Sequence, residues 1–249
     1  MTPRNDREYL SPAPGGAGDL GTLLALLCLG SPARPFGAFA WSGGLAGALD
    51  LAWVRDGESL GAWLADAAAL GLARAELPLL ARAFRAAARE DYALLAQWNE
   101  WVLAGKGTRE TYREEVELGG ALARFARDQG LAEGFFREGA RAGTPGLPWG
   151  HVALFAVLGA ALGLKEPEAP ALLATFLWSY FENAVAAAAK GVPLGQRESQ
   201  RALLKLAPTV PGTVRAALEV ADGEIGSSLP LLAIASARHE ESESRMFRG

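Results

Sequence analysis

The chain has 249 residues, 50% of them hydrophobic, and a formal net charge of −4 at pH 7. This length suits one large helical domain or two small ones, and the apolar content supports a substantial core. The acidic balance and the lack of a long basic run argue against nucleic acid as a partner. One cysteine and two histidines cannot form a Cys₄ or Cys₂His₂ zinc site, and a single cysteine fits a reducing compartment.

The apolar stretches of the chain do not predict a membrane protein. The longest of them, residues 152–164, is shorter than the roughly 20 residues that a helix needs to cross a bilayer. Residues 20–29 are preceded by Asp6, Glu8 and Asp19, which is untypical of a secretory leader. We therefore expect no membrane association and a cytoplasmic location.

The N-terminal part begins with residues 1–18, which are polar, aperiodic and rich in proline and glycine, so we expect a disordered tail there. A first helix is predicted over residues 20–29, with leucines around much of its circumference. One face of this helix would pack on the core, where Cys28 is expected to be a small buried residue. A second subunit would cover the other face, through Leu23, Leu24 and Leu27.

Residues 31–45 form the segment around which the fold is expected to be organised. Two prolines at its start indicate a stiff, non-helical connector. Residues 37–48 are then predicted to be a helix of small side chains, with Phe39 and Trp41 as the bulky exceptions. Each glycine inside a helix costs roughly 0.5–1 kcal/mol relative to alanine, so such a helix is expected where neighbours approach its backbone closely. The alternative is a glycine-rich surface turn.

Abundant alanine and leucine, with apolar residues at spacings of three and four, favour helices over the rest of the chain. The predicted helices are 59–73, 77–89, 92–103, 108–128, 149–164, 167–190, 194–206, 209–220 and 227–237. Residues 130–148 are expected to be irregular, and Gly191 is expected to end its helix with a left-handed cap. Thr108 is followed by Thr111 and not by Glu or Gln, so a full capping box is not expected.

The predicted architecture is all-α, a single compact bundle of about ten helices over residues 19–237. Residues 238–249 form a charged C-terminal segment, in which Phe247 would be costly to leave in water and is therefore a candidate for ordering on a partner.

Motifs for catalysis are incomplete in this sequence. His239-Glu240 does not extend to His-Glu-x-x-His, because position 243 is Glu, and Gly105-Lys106-Gly107 lacks the rest of a phosphate-binding loop. The glutamates at 114, 115 and 117 lack the aspartates of a magnesium motif. We therefore expect a protein that is not an enzyme and holds no cofactor or metal of its own. A helical enzyme is the less favoured hypothesis.

Five segments resemble the urease accessory protein UreF family, in the right order. The run Ser-Pro-x-x-Pro-x-Gly-x-Phe-x-x-Ser-x-Gly-Leu at 31–45 is similar to its N-terminal signature. Further matches are a helix start with Arg109 and Arg113, the segments 151–163 and 190–200, and the tail. Gly43 and Ala46 stand where the family often has His and Glu, and the chain ends in Gly249 where Ser is usual.

The resemblance implies a homodimeric helical scaffold that binds UreD (UreH in some systems) and then the GTPase UreG, and so takes part in nickel delivery to apo-urease. The partner-binding residues that it implies are Phe39, Ser42, Gly44, Arg109, Arg113, Lys190, Pro193, Gln196, Gln200, His239, Glu240, Arg245 and Phe247. The tail would order on UreD with Arg245 as its anchor, and Lys190, Gln196 and Gln200 would lie near the UreG docking surface.

Two alternatives stay open at this stage. Arg109 and Arg113 are equally explained by surface ion pairs with nearby glutamates. The whole chain is also compatible with a helical protein-interaction module that has no connection with urease.

Overall fold

The computed structural model describes residues 18–31 and 44–241, and every regular element in these two ranges is a helix. The all-α prediction is thus confirmed. The α-helices are α1 (Gly18–Gly30), α2 (Leu45–Asp50), α3 (Gly57–Asp66), α4 (Glu76–Ala88), α5 (Tyr92–Ala104), α6 (Arg109–Asp128), α7 (Glu133–Arg137), α8 (His151–Ala161), α9 (Ala169–Gly191), α10 (Gln196–Leu206), α11 (Val210–Glu219) and α12 (Pro230–Glu240).

The centre of the molecule is α8, whose residues from Val152 to Gly159 are all buried. It packs between α4 and α6, while α4 also contacts α5, α9 and α11. Phe84 of α4, Phe155 of α8 and Phe181 of α9 are almost completely removed from solvent within one continuous core. A helix that is apolar all round must be covered on every side, which explains why the run at 152–164 is internal.

The predicted helix over residues 37–48 is wrong in its extent. Gly44 has φ +82°, in the left-handed region, and precedes α2 as its N-cap residue. An α-helix cannot continue through that conformation, so the helix begins at Leu45 and runs on to Asp50. Residues 32–43, which include most of the expected helix, lie outside the described ranges.

The close backbone approach expected of this small-residue segment is confirmed at Gly47. A Cβ atom at Gly47 would lie 1.8 Å from the carbonyl oxygen of Ala235 in α12. Because backbone atoms of another helix cannot move aside cheaply, only glycine fits here. The result is a tight contact that seats α12 on α2.

A π-helical segment, Ala67–Leu72, follows α3 directly. Its wider turn changes the angular position of the residues beyond it. Leu70, which an uninterrupted α-helix would place with Leu64 and Ala67, is instead 56% exposed, while those two are buried. The π-helical turn therefore takes Leu70 off the buried side of this segment.

Four smaller expectations are also wrong. Thr108 and Thr111 form a reciprocal capping box at the start of α6, because the threonine hydroxyl replaces the expected Glu or Gln side chain. Gly191 is the last residue of α9 without a positive φ, and extended Val192 follows it. Cys28 is exposed, on the outer face of α1. The stretch 130–148 includes α7 and a 3₁₀ turn, Gly139–Arg141.

Candidate partner-binding surfaces and buried polar sites

A buried polar junction connects the first turn of α6 to α12. Glu110 and His239 are each 1% exposed, and the Nδ1 atom of His239 lies 2.9 Å from Oε1 of Glu110. The hydroxyl of Ser236 donates to the other carboxylate oxygen of Glu110 at 2.7 Å. Buried polar groups are stable when such partners are present, so this junction fixes the position of α12 on α6.

The same junction completes the N-terminus of α6. Glu240 accepts a hydrogen bond from the backbone N–H of Glu110 at 2.8 Å. The hydroxyl groups of Thr108 and Ser236 lie 2.8 Å apart. The first N–H groups of a helix lack intrahelical partners, so α12 supplies to α6 an acceptor that α6 cannot supply itself.

The chemistry of this junction is structural. Ser236 donates to the Glu110 carboxylate, whose other oxygen is paired with His239. All three side chains are closed off from solvent. We assign the cluster the function of holding α12.

A second polar group surrounds Lys106, in the turn between α5 and α6. Its Nζ atom lies 3.1 Å from Glu76 and 3.1 Å from Glu115, and the lysine side chain is only 12% exposed. Glu115 also accepts a hydrogen bond from the backbone N–H of Val152 at 2.8 Å. Three charges from separate parts of the chain are thus brought together beside the start of α8.

Charge pairing keeps this group ionised in spite of its burial. Burial alone would raise the pKa of Glu115, but Lys106, His151 and the Val152 N–H bring that pKa below its ordinary value. Burial alone would lower the pKa of Lys106, and its two carboxylate partners raise that pKa above the ordinary range. The charges therefore stabilise one another only while all of them are present.

Lys106 and its partners form one wall of a cavity of about 380 Å³. The lining also includes Phe176 and Tyr180 of α9, Leu229 just before α12 and Leu232 within it. Burial raises the pKa of the Tyr180 phenol, which stays neutral. His151 packs its ring against Phe155 and Phe176, with ring centroids 6.0 and 5.2 Å away.

The candidate residues of the 190–200 segment lie on the surface, at the end of α9 and the start of α10. Lys190 is in the last turn of α9, Pro193 lies in the connection, and Gln196 and Gln200 are one turn apart on α10. All four are exposed. The sequence-predicted proximity of these side chains is therefore compatible with the structure, and their part in partner binding stays a prediction.

The other candidate residues are distributed over several places. Arg109 and Arg113 are exposed on α6, whereas Gly44 is buried against Leu232. His239 and Glu240 belong to α12 and contact α6. Phe39, Ser42, Arg245 and Phe247 lie outside the described residues.

The outer face of α1 is apolar, and its leucines are exposed in the part of the chain that the structure describes. Leu23, Leu24 and Leu27 are 49%, 55% and 59% exposed, while Ala25 and Leu29 on the opposite face are buried. That inner face packs on α9. The geometry is what the dimer prediction requires, and the dimer itself stays a prediction.

Sequence reasoning missed both buried polar groups. The sequence suggests for Glu115 only an incomplete magnesium motif and for Lys106 only an incomplete phosphate-binding loop. Their partners lie 129 positions away for Glu110 and 30 positions away for Lys106. Neither pairing leaves a local pattern, so no sequence signal was available.

Residues 18–31 and 44–241 offer neither a metal site nor a membrane span. No cluster of three or more His, Cys, Asp or Glu side chains is arranged to hold a metal ion. No helix of this part of the chain combines the length and apolar character needed to cross a membrane.

Comparison with known proteins agrees with the resemblance in the motifs. The family model for UreF matches residues 54–207. The urease accessory protein UreF of Chromohalobacter salexigens is 42% identical over 241 residues, which cover 96% of this chain and 100% of that protein. The UreF protein of Pseudoalteromonas translucida is 40% identical over 235 residues, covering 94% and 97%.

A third relative has a different organisation. The bifunctional urease accessory protein UreEF of Bordetella bronchiseptica is 38% identical over 233 residues, covering 92% of this chain but 52% of that longer protein. The family model spans more than half of the present chain, and each of these relatives aligns with over nine-tenths of it. The chain is therefore a member of the UreF family of urease accessory proteins.

Proposed function

We propose that this chain is a scaffold of urease maturation that bridges UreD (or UreH) and the GTPase UreG. In this function it modulates the GTPase activity of UreG and takes part in nickel delivery to apo-urease, as a cytoplasmic homodimer without catalytic residues of its own. Two observations support the proposal. The chain belongs to the UreF family, and it exposes the face of α1 and the 190–200 segment as separate candidate surfaces for partner binding. Family membership argues against the alternative of an interaction module unrelated to urease.

Three separate surfaces would bind the three partners. The apolar outer face of α1 would bind a second copy, the exposed 190–200 segment would bind UreG, and the segment after α12 would bind UreD. These surfaces belong to different helices, so one partner need not displace another. The fused UreEF relative supports association with other accessory proteins, since there two such functions share one chain.

The α6–α12 junction suggests what His239 and Glu240 contribute. Both side chains contact α6, so their effect on a partner would be exerted through the position of α12. That position sets where the chain continues beyond Glu241. We therefore assign these two residues to positioning and Arg245 and Phe247 to direct contact with UreD.

The central test is urease maturation in a host that expresses the complete operon or the operon without this gene. Loss of urease activity together with loss of bound nickel is expected when the gene is absent. Apo-urease that acquires its full nickel content without the gene would overturn the proposal.

The tail assignment is tested by truncation after Glu241, which leaves α12 and its contacts intact. Pull-down with UreD is expected to fail for the truncated chain and for a full-length chain with Arg245→Ala and Phe247→Ala. Full-length protein with Ser242→Ala is the matched control. Unchanged capture of UreD by the truncated chain would contradict the assignment.

The UreG assignment is tested with Lys190→Ala and Gln200→Ala together. Reduced coupling to UreG GTPase activity is expected, with UreD binding retained, because the changed side chains are exposed. Lys165→Ala, another exposed lysine, provides the control. Normal coupling and normal urease nickel content in the double variant would show that this surface has no part in UreG binding.

A further inference from the structure

Helix α10 carries a basic stripe, formed by Arg197, Arg201 and Lys205. These residues follow one another at intervals of four, so they lie on one side of the helix. All three are exposed. Among the ion pairs formed within residues 18–31 and 44–241, none involves any of them.

An exposed leucine lies within the same stripe. Leu204 is 71% exposed, more than any other large hydrophobic residue in the described ranges. At about 100° per residue, it lies within roughly 60° of Arg197 and of Arg201 around the helix axis. The opposite side of α10 is buried against α3 and α9, through Ala202, Leu203 and Leu206.

The stripe has the opposite sign to the chain as a whole, whose net charge is −4. Glu198, the acidic residue of α10, is exposed at the edge of the stripe, roughly 20° from Lys205 around the helix axis and beside Gly57 of α3, so the stripe keeps a net positive charge. An acidic partner is therefore repelled by the average field of the molecule and attracted at this helix. A local patch whose charge is opposite in sign to that of the whole chain determines the orientation in which a partner binds more than the strength of binding.

We infer that α10 docks an acidic protein surface with an apolar recess that accepts Leu204. The partner of this chemistry is UreG, because the stripe adjoins Gln196 and Gln200 on the same helix; the inference rests on the proposed function. A single helix with one exposed leucine offers too little apolar surface for a bilayer. Three cations on an acidic chain are also fewer than a nucleic-acid site uses.

The contribution of the three positive charges to UreG binding is tested with a variant that carries Arg197→Glu, Arg201→Glu and Lys205→Glu. Affinity for purified UreG is measured by calorimetry at about 0.05 M and about 0.5 M NaCl. Exposed pairs are worth a factor of about 1.5 to 5 each, and each charge reversal replaces an attraction by a repulsion of similar size. We therefore expect a loss of about tenfold or more at low salt and a much smaller loss at high salt.

The matched control reverses Arg74, Arg124 and Arg141, which are also exposed, and thus makes the same change in net charge elsewhere. It is expected to reduce UreG affinity less than threefold, a loss that non-specific charge effects account for. An equal loss in the control would show that net charge, and not the stripe, governs binding, and would overturn the inference.

The contribution of the exposed leucine to UreG binding is tested separately with Leu204→Ala. Because this change removes contact area and no charge, UreG affinity is expected to fall by a similar factor at both salt concentrations. Thermal unfolding of the variant should match that of the original chain, since the side chain is already exposed. Unchanged UreG affinity would overturn the proposed recess for Leu204.

Further outcomes separate this inference from the proposed function. If the unaltered chain binds neither UreG nor UreD, the proposed function fails. If it binds UreG and the charge-reversed variant binds equally well, only the docking site is wrong. Binding of the unaltered chain to vesicles of anionic phospholipid, or dissociation of a homodimer by the charge reversal, would reassign the stripe to a membrane or a second copy.

Discussion

At the scale of single residues, Lys106 is the side chain whose removal should cost most. Lys106→Ala leaves Glu115 buried without its counter-charge, and breaking a buried pair in this way costs about 3–5 kcal/mol. We expect a lower free energy of unfolding in urea titrations. Arg89→Ala, which removes an ion pair with Glu166 on the surface, should have a far smaller effect. Equal losses in the two variants would show that burial of the Lys106 group is unimportant.

Glu115 also makes the stability of the chain depend on pH. Its folded-state pKa is below the ordinary value of 4.5, so the unfolded chain binds more protons in this range. The contribution of Glu115 is therefore complete above pH 4.5 and is lost as pH falls through the folded-state pKa. Acid titration of the unfolding free energy should show a shallower slope for Glu115→Gln. An unchanged slope would exclude Glu115 as a source of acid sensitivity.

At the scale of helices, Gly47 tests the contact between α2 and α12. In Gly47→Ala the added methyl group meets the Ala235 carbonyl oxygen, and overpacking of this kind costs about 1–3 kcal/mol or more. Gly61→Ala in α3 is the control, because no atom lies within 4 Å of its added Cβ. The control should stabilise the chain by about 0.5–1 kcal/mol, through helix propensity alone. Thermal unfolding midpoints that shifted in the same direction for both variants would contradict this packing.

The position of α12 depends on Glu110. Glu110→Ala removes the acceptor of Ser236 and the partner of His239, leaving buried polar groups unpaired. We expect faster amide hydrogen exchange throughout α12 and unchanged exchange in α4 and α8. Glu117→Ala, an exposed change on the same helix, is the comparison. Uniform acceleration over the whole chain would mean that α12 is not a separate opening unit.

At the scale of the whole molecule, the outer face of α1 predicts the oligomeric state. Leu23→Glu with Leu27→Glu should convert a dimer of about 52 kDa, twice the chain mass of 26.1 kDa, into a monomer by light scattering. Both side chains are half-exposed within the chain, so helix content should be unchanged. Leu204→Glu is the control and should stay dimeric. A monomeric unaltered chain would exclude this interface.

The sequence alone determined the helical class, most helix positions within a few residues, and the family. These follow from short-range information: periodic apolar residues, capping side chains and motifs whose members lie within about one helix of each other. The helix predicted over residues 167–190, for example, is α9, whose apolar residues Leu172, Phe176 and Phe181 are buried.

Only the tertiary structure decided which polar residues are internal. Glu110 and His239 lie 129 positions apart, and nothing near either residue in the sequence indicates the other. The start of α2 at Leu45 likewise depends on the seating of α12 against Gly44 and Gly47. Pairing energies between distant segments arise when the chain packs, so they leave no local pattern in the sequence.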